Sequence, residues 1–140
     1  FEFFFPNCFL AFGSIEAGNV RFFAVDSIDY QSWVNWGAHP ADRGRRHEDY
    51  DRYIVREVVP LFRGYGHDKA LTTGCSMGGY QAANAFFRHP DVFDTMISLS
   101  GLFQLGMFIG DYMDEVVYRN TPLAFLPNLE DPWFLDRYRA

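Results

Sequence analysis

Gly74-Cys75-Ser76-Met77-Gly78 places a serine between two glycines in the spacing G-x-S-x-G. In such a run a strand must reverse into a helix within one residue, the serine is held at strained dihedrals, and glycine on either side leaves room for the crossing backbones. The strain aims the Ser76 hydroxyl outward. The peptide N–H of Met77, at the start of the following helix, then points at an oxyanion with the helix dipole behind it. The chemistry is nucleophilic attack on an acyl carbon. The competing reading is a glycine turn whose serine caps a helix.

A serine nucleophile needs a base, and chain order sorts the four histidines. In a parallel sheet each strand ends on one edge and each crossover helix returns to the other. His67 precedes the Ser76 strand and His89 follows the Ser76 helix, so both belong to the far edge. His39 and His47 follow the end of a strand and are the candidate bases, against the alternative of solvated loop histidines. Among acids on the same edge, Asp26 and Asp114 are possible and Asp111 is the candidate acid; a carboxylate capping a helix start is its alternative. Trp33 and Trp36, with Tyr30, are candidates for a substrate pocket, or for a roof over the sheet. Cys75 reads as a small packing residue behind the serine. The histidines and cysteines lack paired spacings such as H-x-x-x-H or C-x-x-C, so neither metal nor cofactor is expected.

The elements that must position these groups alternate short apolar runs with helical patterns, which predicts an α/β fold with a parallel sheet and crossover helices. Strands are predicted at Phe3 to Phe5, Val20 to Val25, Ala70 to Thr73 and Thr95 to Leu99, with the Phe3 strand between the Val20 and Leu71 strands. A loop of functional length is predicted from Asp29 to Arg46. An amphipathic helix should follow over Arg46 to Phe62, kinked or ended by Pro60 near Val59. The helix after Ser76 should run from Met77 to Arg88 and stop before His89-Pro90. Helical segments are also expected at Asp111 to Tyr118 and at Asp131 to Arg139, the latter with Asp131 as N-cap and Pro132 at its first position.

The 140 residues suit a single domain. A formal charge of -6 and the lack of any Lys/Arg run argue against a nucleic-acid or anionic-membrane partner. A 49% hydrophobic content argues against disorder, and no stretch reaches the roughly 18 to 20 apolar residues of a spanning helix. The aromatic share, 19%, is more than a small domain hides easily, so some of it should meet a ligand or partner. Two cysteines make no disulfide framework, and a reducing, cytoplasmic location is the default expectation.

Leu71 to Gly79, Arg88-His89-Pro90-Asp91-Val92-Phe93 and Ser98-Leu99-Ser100-Gly101 resemble the putative-esterase (esterase D-type) branch of the α/β-hydrolase superfamily. Val25-Asp26-Ser27 with Ser32-Trp33, the helix holding Tyr53-Ile54 and Glu57 to Pro60, and Tyr118 to Pro122 are similar to it as well, so the likeness covers about residues 20 to 139. It implies a serine carboxylic-ester hydrolase on a reduced α/β-hydrolase sheet, with Ser76 as nucleophile, the Met77 amide in the oxyanion hole and a small ester as substrate. In that branch the triad acid and histidine follow later strands, so here the chain is expected to be an abbreviated hydrolase with His39 or His47 as surrogate base and modest activity. Where a Gly-rich turn would supply the second oxyanion donor the chain has Pro6-Asn7-Cys8, and Asn7 joins Trp33 and Trp36 as a substrate-binding candidate. The other reading is a catalytically silent remnant that serves as a binding or assembly module. An open sheet edge invites pairing, so a homo-oligomer is expected.

Overall fold

The computed structural model describes residues 13–139. After a helical turn at residues 13–16 come a 3-10 turn (Asp29–Gln31), helix α1 (Pro40–Tyr53), a π-helical turn (Ile54–Val58) and α2 (Val59–Arg63). Strand β1 (Ala70–Cys75), α3 (Met77–Arg88) and β2 (Phe93–Leu99) form the centre. Four short helices follow: α4 (Gly106–Ile109), α5 (Glu115–Arg119), α6 (Pro122–Phe125) and α7 (Pro132–Arg139). The result is a helix-rich α/β arrangement around a small sheet.

β1 and β2 run parallel, in register from Leu71 opposite Thr95 to Cys75 opposite Leu99, and α3 is the helix that joins them. Strand period decides which side chains meet that helix. Ala70, Thr72 and Gly74 turn inward, and the Thr72 hydroxyl donates to the Ala82 carbonyl of α3 at 3.0 Å. Leu71, Thr73 and Cys75 turn the other way and are exposed. Cys75 is therefore not the buried packing residue the sequence suggested; it lies one position out of phase with the face that α3 covers. On the same open face, Ile97 and Leu99 of β2 are also exposed.

Of the four predicted strands, the two flanking α3 are present and slightly longer than expected. The Phe3 to Phe5 strand lies outside the described residues. Residues 20–25 carry no regular element: a strand needs a neighbour for its backbone hydrogen bonds, and among the described residues none pairs with them. Phe23 instead packs beside Phe62 and Tyr65, with ring centroids 6.3 and 5.8 Å apart.

The first long helix starts six residues before the predicted Arg46. Pro40 occupies its first turn, where a missing N–H costs nothing, and the His39 ring accepts the Ala41 N–H at 3.2 Å as its N-cap. The Asp29 to Arg46 loop is shorter by that much. Pro60 does not end the helix either. The Val59 N–H donates five residues back to Ile54, and this widened turn carries the chain past the proline into α2.

The predicted helix from Asp111 begins instead at Glu115. Its N-cap is Asp114, which accepts the Val117 N–H at 2.8 Å, while Asp111 sits in the turn before it. Helix α3 matches its predicted span and ends at Arg88, with His89 as C-cap. Helix α7 follows Asp131, whose carboxylate accepts the Trp133 N–H at 2.8 Å.

Two apolar clusters flank the sheet. One gathers Trp33, Tyr80, Leu105, Ile109 and Val117, with Met77 packed against it. The other gathers Val59, Phe62, Val92 and Phe93 near the start of the strands. No described helix is long and apolar enough to cross a membrane.

Candidate active site

β1 ends at Cys75 and α3 begins at Met77, so the whole reversal falls on Ser76. Its backbone has φ 55° and ψ −117°, a conformation that costs a non-glycine residue of order 1–3 kcal/mol. The neighbours over-determine it. The Ser76 N–H donates to the Leu99 carbonyl at 2.9 Å, and the Ser76 carbonyl accepts the Tyr80 N–H at 3.1 Å, the first intrahelical bond of α3.

The glycines around the turn have unequal roles. A Cβ on Gly74 would lie 2.2 Å from the Gly78 carbonyl oxygen, so that site admits only hydrogen. A Cβ on Gly78 would meet nothing within 4 Å. The second tight approach is at Gly79, where a Cβ would lie 2.7 Å from the Ser98 hydroxyl and 3.0 Å from the Gly101 Cα. The Ser98 hydroxyl donates to the Gly79 carbonyl at 3.0 Å, which wraps Ser98-Leu99-Ser100-Gly101 around the start of α3. Ser100 is the other described non-glycine residue with positive φ, at 52°.

Ser76 is exposed, and its side chain makes no capping hydrogen bond to α3. Ser76 thus occupies the N-cap position of α3 without its hydroxyl capping the helix. The N–H groups of Met77, Gly78 and Gly79 precede the first intrahelical bond, so they have no acceptor within the helix. An exposed hydroxyl thus stands at a helix N-terminus whose first N–H groups have no acceptor among the described residues, with a favourable dipole behind it.

The two candidate bases have different surroundings. His39 is exposed, its Nδ1 occupied as the α1 cap, and its ring meets Tyr112 edge-on with centroids 5.2 Å apart. His47 is only 1% exposed and is enclosed by Trp33, Tyr50 and Tyr80. Its Nε2 faces the Asn84 amide nitrogen at 3.1 Å. Burial, with the Arg88 charge adding to it, pushes its pKa down to about 4, so the ring is neutral. No described hydrogen bond joins either imidazole to Ser76.

Asp111 is exposed and makes no described side-chain hydrogen bond; with Gln104, Leu105, Ile109, Tyr112, Met113 and their neighbours it lines a cavity of about 240 Å³. Leu105 and Ile109 also belong to the cluster on which Met77 packs. The two tryptophans separate. Trp33 is wholly buried core, whereas Trp36 is 63% exposed, 6.0 Å from the Phe108 ring and beside the Arg43 guanidinium. Asn7 lies outside the described residues. Among the described residues no group of three or more His, Cys, Asp or Glu side chains converges as a metal site would require.

Behind the turn lies a polar cluster that spacing did not single out. Asn84 and Arg88 of α3, His47, Glu48 and Asp51 of α1, and Asn120 after α5 share hydrogen bonds. Burial opposes the Glu48 charge, but hydrogen bonds from Asn120 and Arg88 prevail and lower its pKa. The one signal for it in the sequence is the helical spacing of Tyr80, Asn84 and Arg88, a polar stripe on an otherwise apolar helix.

No curated protein and no solved structure matches the chain. A family does: the model described as putative esterase matches residues 11–134, nearly the whole chain, and this protein belongs to that esterase family.

Proposed function

We propose that the protein is a serine carboxylic-ester hydrolase acting on short acyl esters. The observation that carries the reading is Ser76: an exposed hydroxyl, unbonded to its own helix, at φ 55° in a strand-to-helix turn, followed by N–H groups that have no acceptor among the described residues, in a chain of the esterase family. In this reading Ser76 attacks the ester carbonyl, and its proton passes to a base. The carbonyl oxygen becomes an oxyanion facing the Met77 N–H; the alcohol leaves with a proton, and water then releases the acid.

Of the two imidazoles only His39 is exposed; because its Nδ1 accepts the Ala41 N–H, its neutral ring carries the proton on Nε2, so it serves as base only when the α1 cap bond opens and Nδ1 turns to Ser76. Asp111 adjoins Tyr112, the ring that touches His39, and is the acid that would orient it. Trp36, exposed on the same side of α1 as Arg43 and Phe108, is the aromatic wall offered to the substrate.

Hydrolysis of p-nitrophenyl acetate and butyrate by the wild type and by Ser76→Ala tests the reading. Turnover that disappears in the variant is expected, together with labelling of Ser76 by a fluorophosphonate. Equal background rates and an unlabelled Ser76 would turn the reading to the second one, a silent binding or assembly module. That reading is favoured by one observation: no described imidazole or carboxylate is bonded to Ser76. Self-association through the open sheet face of Leu71, Ile97 and Leu99 belongs to the proposal too, and a monodisperse monomer in light scattering would remove it.

A further inference from the structure

Asn120 lies at the C-cap of α5 and is completely buried, and three successive turns of α3 bond to it. The Tyr80 hydroxyl donates to its backbone carbonyl at 2.8 Å. The Asn84 amide donates to its Oδ1 at 2.9 Å, and the Arg88 guanidinium to the same oxygen at 2.6 Å. In the other direction its Nδ2 donates to Glu48 of α1 at 2.6 Å and to the Val116 carbonyl of α5 at 2.8 Å. One side chain therefore uses both amide hydrogens and accepts twice. It ties α3 to α1 and α5 along nearly the whole length of α3.

The Ser76 turn is strained, so something must hold α3 against relaxing toward an ordinary backbone. The Leu99 carbonyl restrains it from the sheet side. Tyr80 is one turn from Ser76 and bonds to the Ser76 carbonyl through its backbone and to Asn120 through its hydroxyl. We infer that Asn120 is a positioning residue for the Ser76 hydroxyl and the Met77 N–H, acting through Tyr80, Asn84 and Arg88. The inference rests on the ester-hydrolase reading for its effect on turnover, but not for its effect on the helix.

The test compares Asn120→Ala and Tyr80→Phe with Val92→Ala, a core truncation in the other apolar cluster that serves as a control for lost stability alone. Tyr80→Phe keeps the ring and removes only the hydroxyl, so it remains informative if Asn120→Ala folds poorly. Asn120→Ala keeps the backbone carbonyl that Tyr80 bonds and removes the side-chain bonds to Asn84 and Arg88, whereas Tyr80→Phe removes the bond nearest Ser76; hydrogen–deuterium exchange over residues 74–84 should rise about tenfold in each, with Val92→Ala loosening its own cluster instead. On p-nitrophenyl acetate, kcat should fall by about tenfold in Asn120→Ala with KM within about twofold, because misplacement acts on the transition state. Exchange over residues 74–84 that is no greater than in Val92→Ala overturns the inference, as does a kcat and KM pattern the same as that control's. If the wild type hydrolyses neither ester, the hydrolase reading fails and the exchange measurement still decides the role of Asn120.

Discussion

The Ser76 N–H and the Leu99 carbonyl, 2.9 Å apart, lock the end of β1's turn to the last residue of β2. Ser76 and Ser100, the two described non-glycine residues with positive φ, thus sit on either side of one hydrogen bond. Such paired strain persists only where close packing leaves no relaxed alternative, and the glycines behind the turn provide that packing.

Gly74→Ala and Gly78→Ala should therefore differ in sign. At Gly74 the new methyl would be driven into the Gly78 backbone, which cannot rotate away, so a loss of several kcal/mol and a large fall in Tm are expected. At Gly78 it meets open space in the first turn of α3, and the helix preference of alanine should leave stability unchanged or raise it by up to about 1 kcal/mol. Gly79→Ala should resemble Gly74→Ala, because its methyl meets Ser98 and Gly101. Urea unfolding of the three variants checks the order; equal losses at Gly74 and Gly78 would contradict the geometry.

That contrast also marks how far the sequence was legible. The strand, the Ser76 reversal and the span of α3 could be read because local signals coincide there: glycine spacing, an apolar strand upstream, and Pro90 to stop the helix. The glycine pattern did not reveal that Gly79, not Gly78, makes the second close approach, since that contact comes from Ser98 and Gly101 some 20 residues later. The sequence places His39 in a loop, whereas it caps α1, since Pro40 sits in that helix's first turn. Asn120 carries no local signature of this role; its four hydrogen bonds with Tyr80, Asn84, Arg88 and Glu48 exist only once three helices meet. Cys75 was misplaced because a strand buried on one face looks in sequence like one buried on both.

Ser32→Ala should be neutral or stabilising. The Ser32 hydroxyl is completely buried beside Trp33 and has no hydrogen-bond partner among the described residues. A buried hydroxyl without a partner carries a desolvation penalty of about 1–3 kcal/mol, which the alanine removes at the cost of one oxygen's packing contacts. Thermal unfolding checks this; a fall in Tm beyond about 4 °C would mean that the hydroxyl is bonded in solution.

The protein should lose stability as pH falls from 6.5 toward 4, and His47 should cause most of that loss. In the folded chain its ring is enclosed by Trp33, Tyr50 and Tyr80, faces Asn84 of α3, and lies near Arg88, Glu48 and Asp51. Burial and the Arg88 cation push its pKa down to about 4, against 6.5 for the exposed side chain. Below 6.5 the unfolded chain takes up a proton that the folded chain refuses, so unfolding is favoured progressively until the folded pKa is reached, by of order 3 kcal/mol in all. Glu48 and Asp51 act in the same direction at lower pH. Their folded pKa values are depressed by hydrogen bonds from Asn120 and Arg88 and from His89, which outweigh burial, so their contribution is present above the ordinary carboxylate range and is lost as pH drops through it. Urea unfolding at pH 7, 5.5 and 4.5 should show the decline in the wild type, and His47→Gln, which cannot take up the proton, should show a flatter profile above pH 4.5 from a lower starting stability. Parallel profiles for the two chains would mean that His47 takes up its proton as readily in the fold as in the unfolded chain, and the neutral, sealed ring would have to be given up.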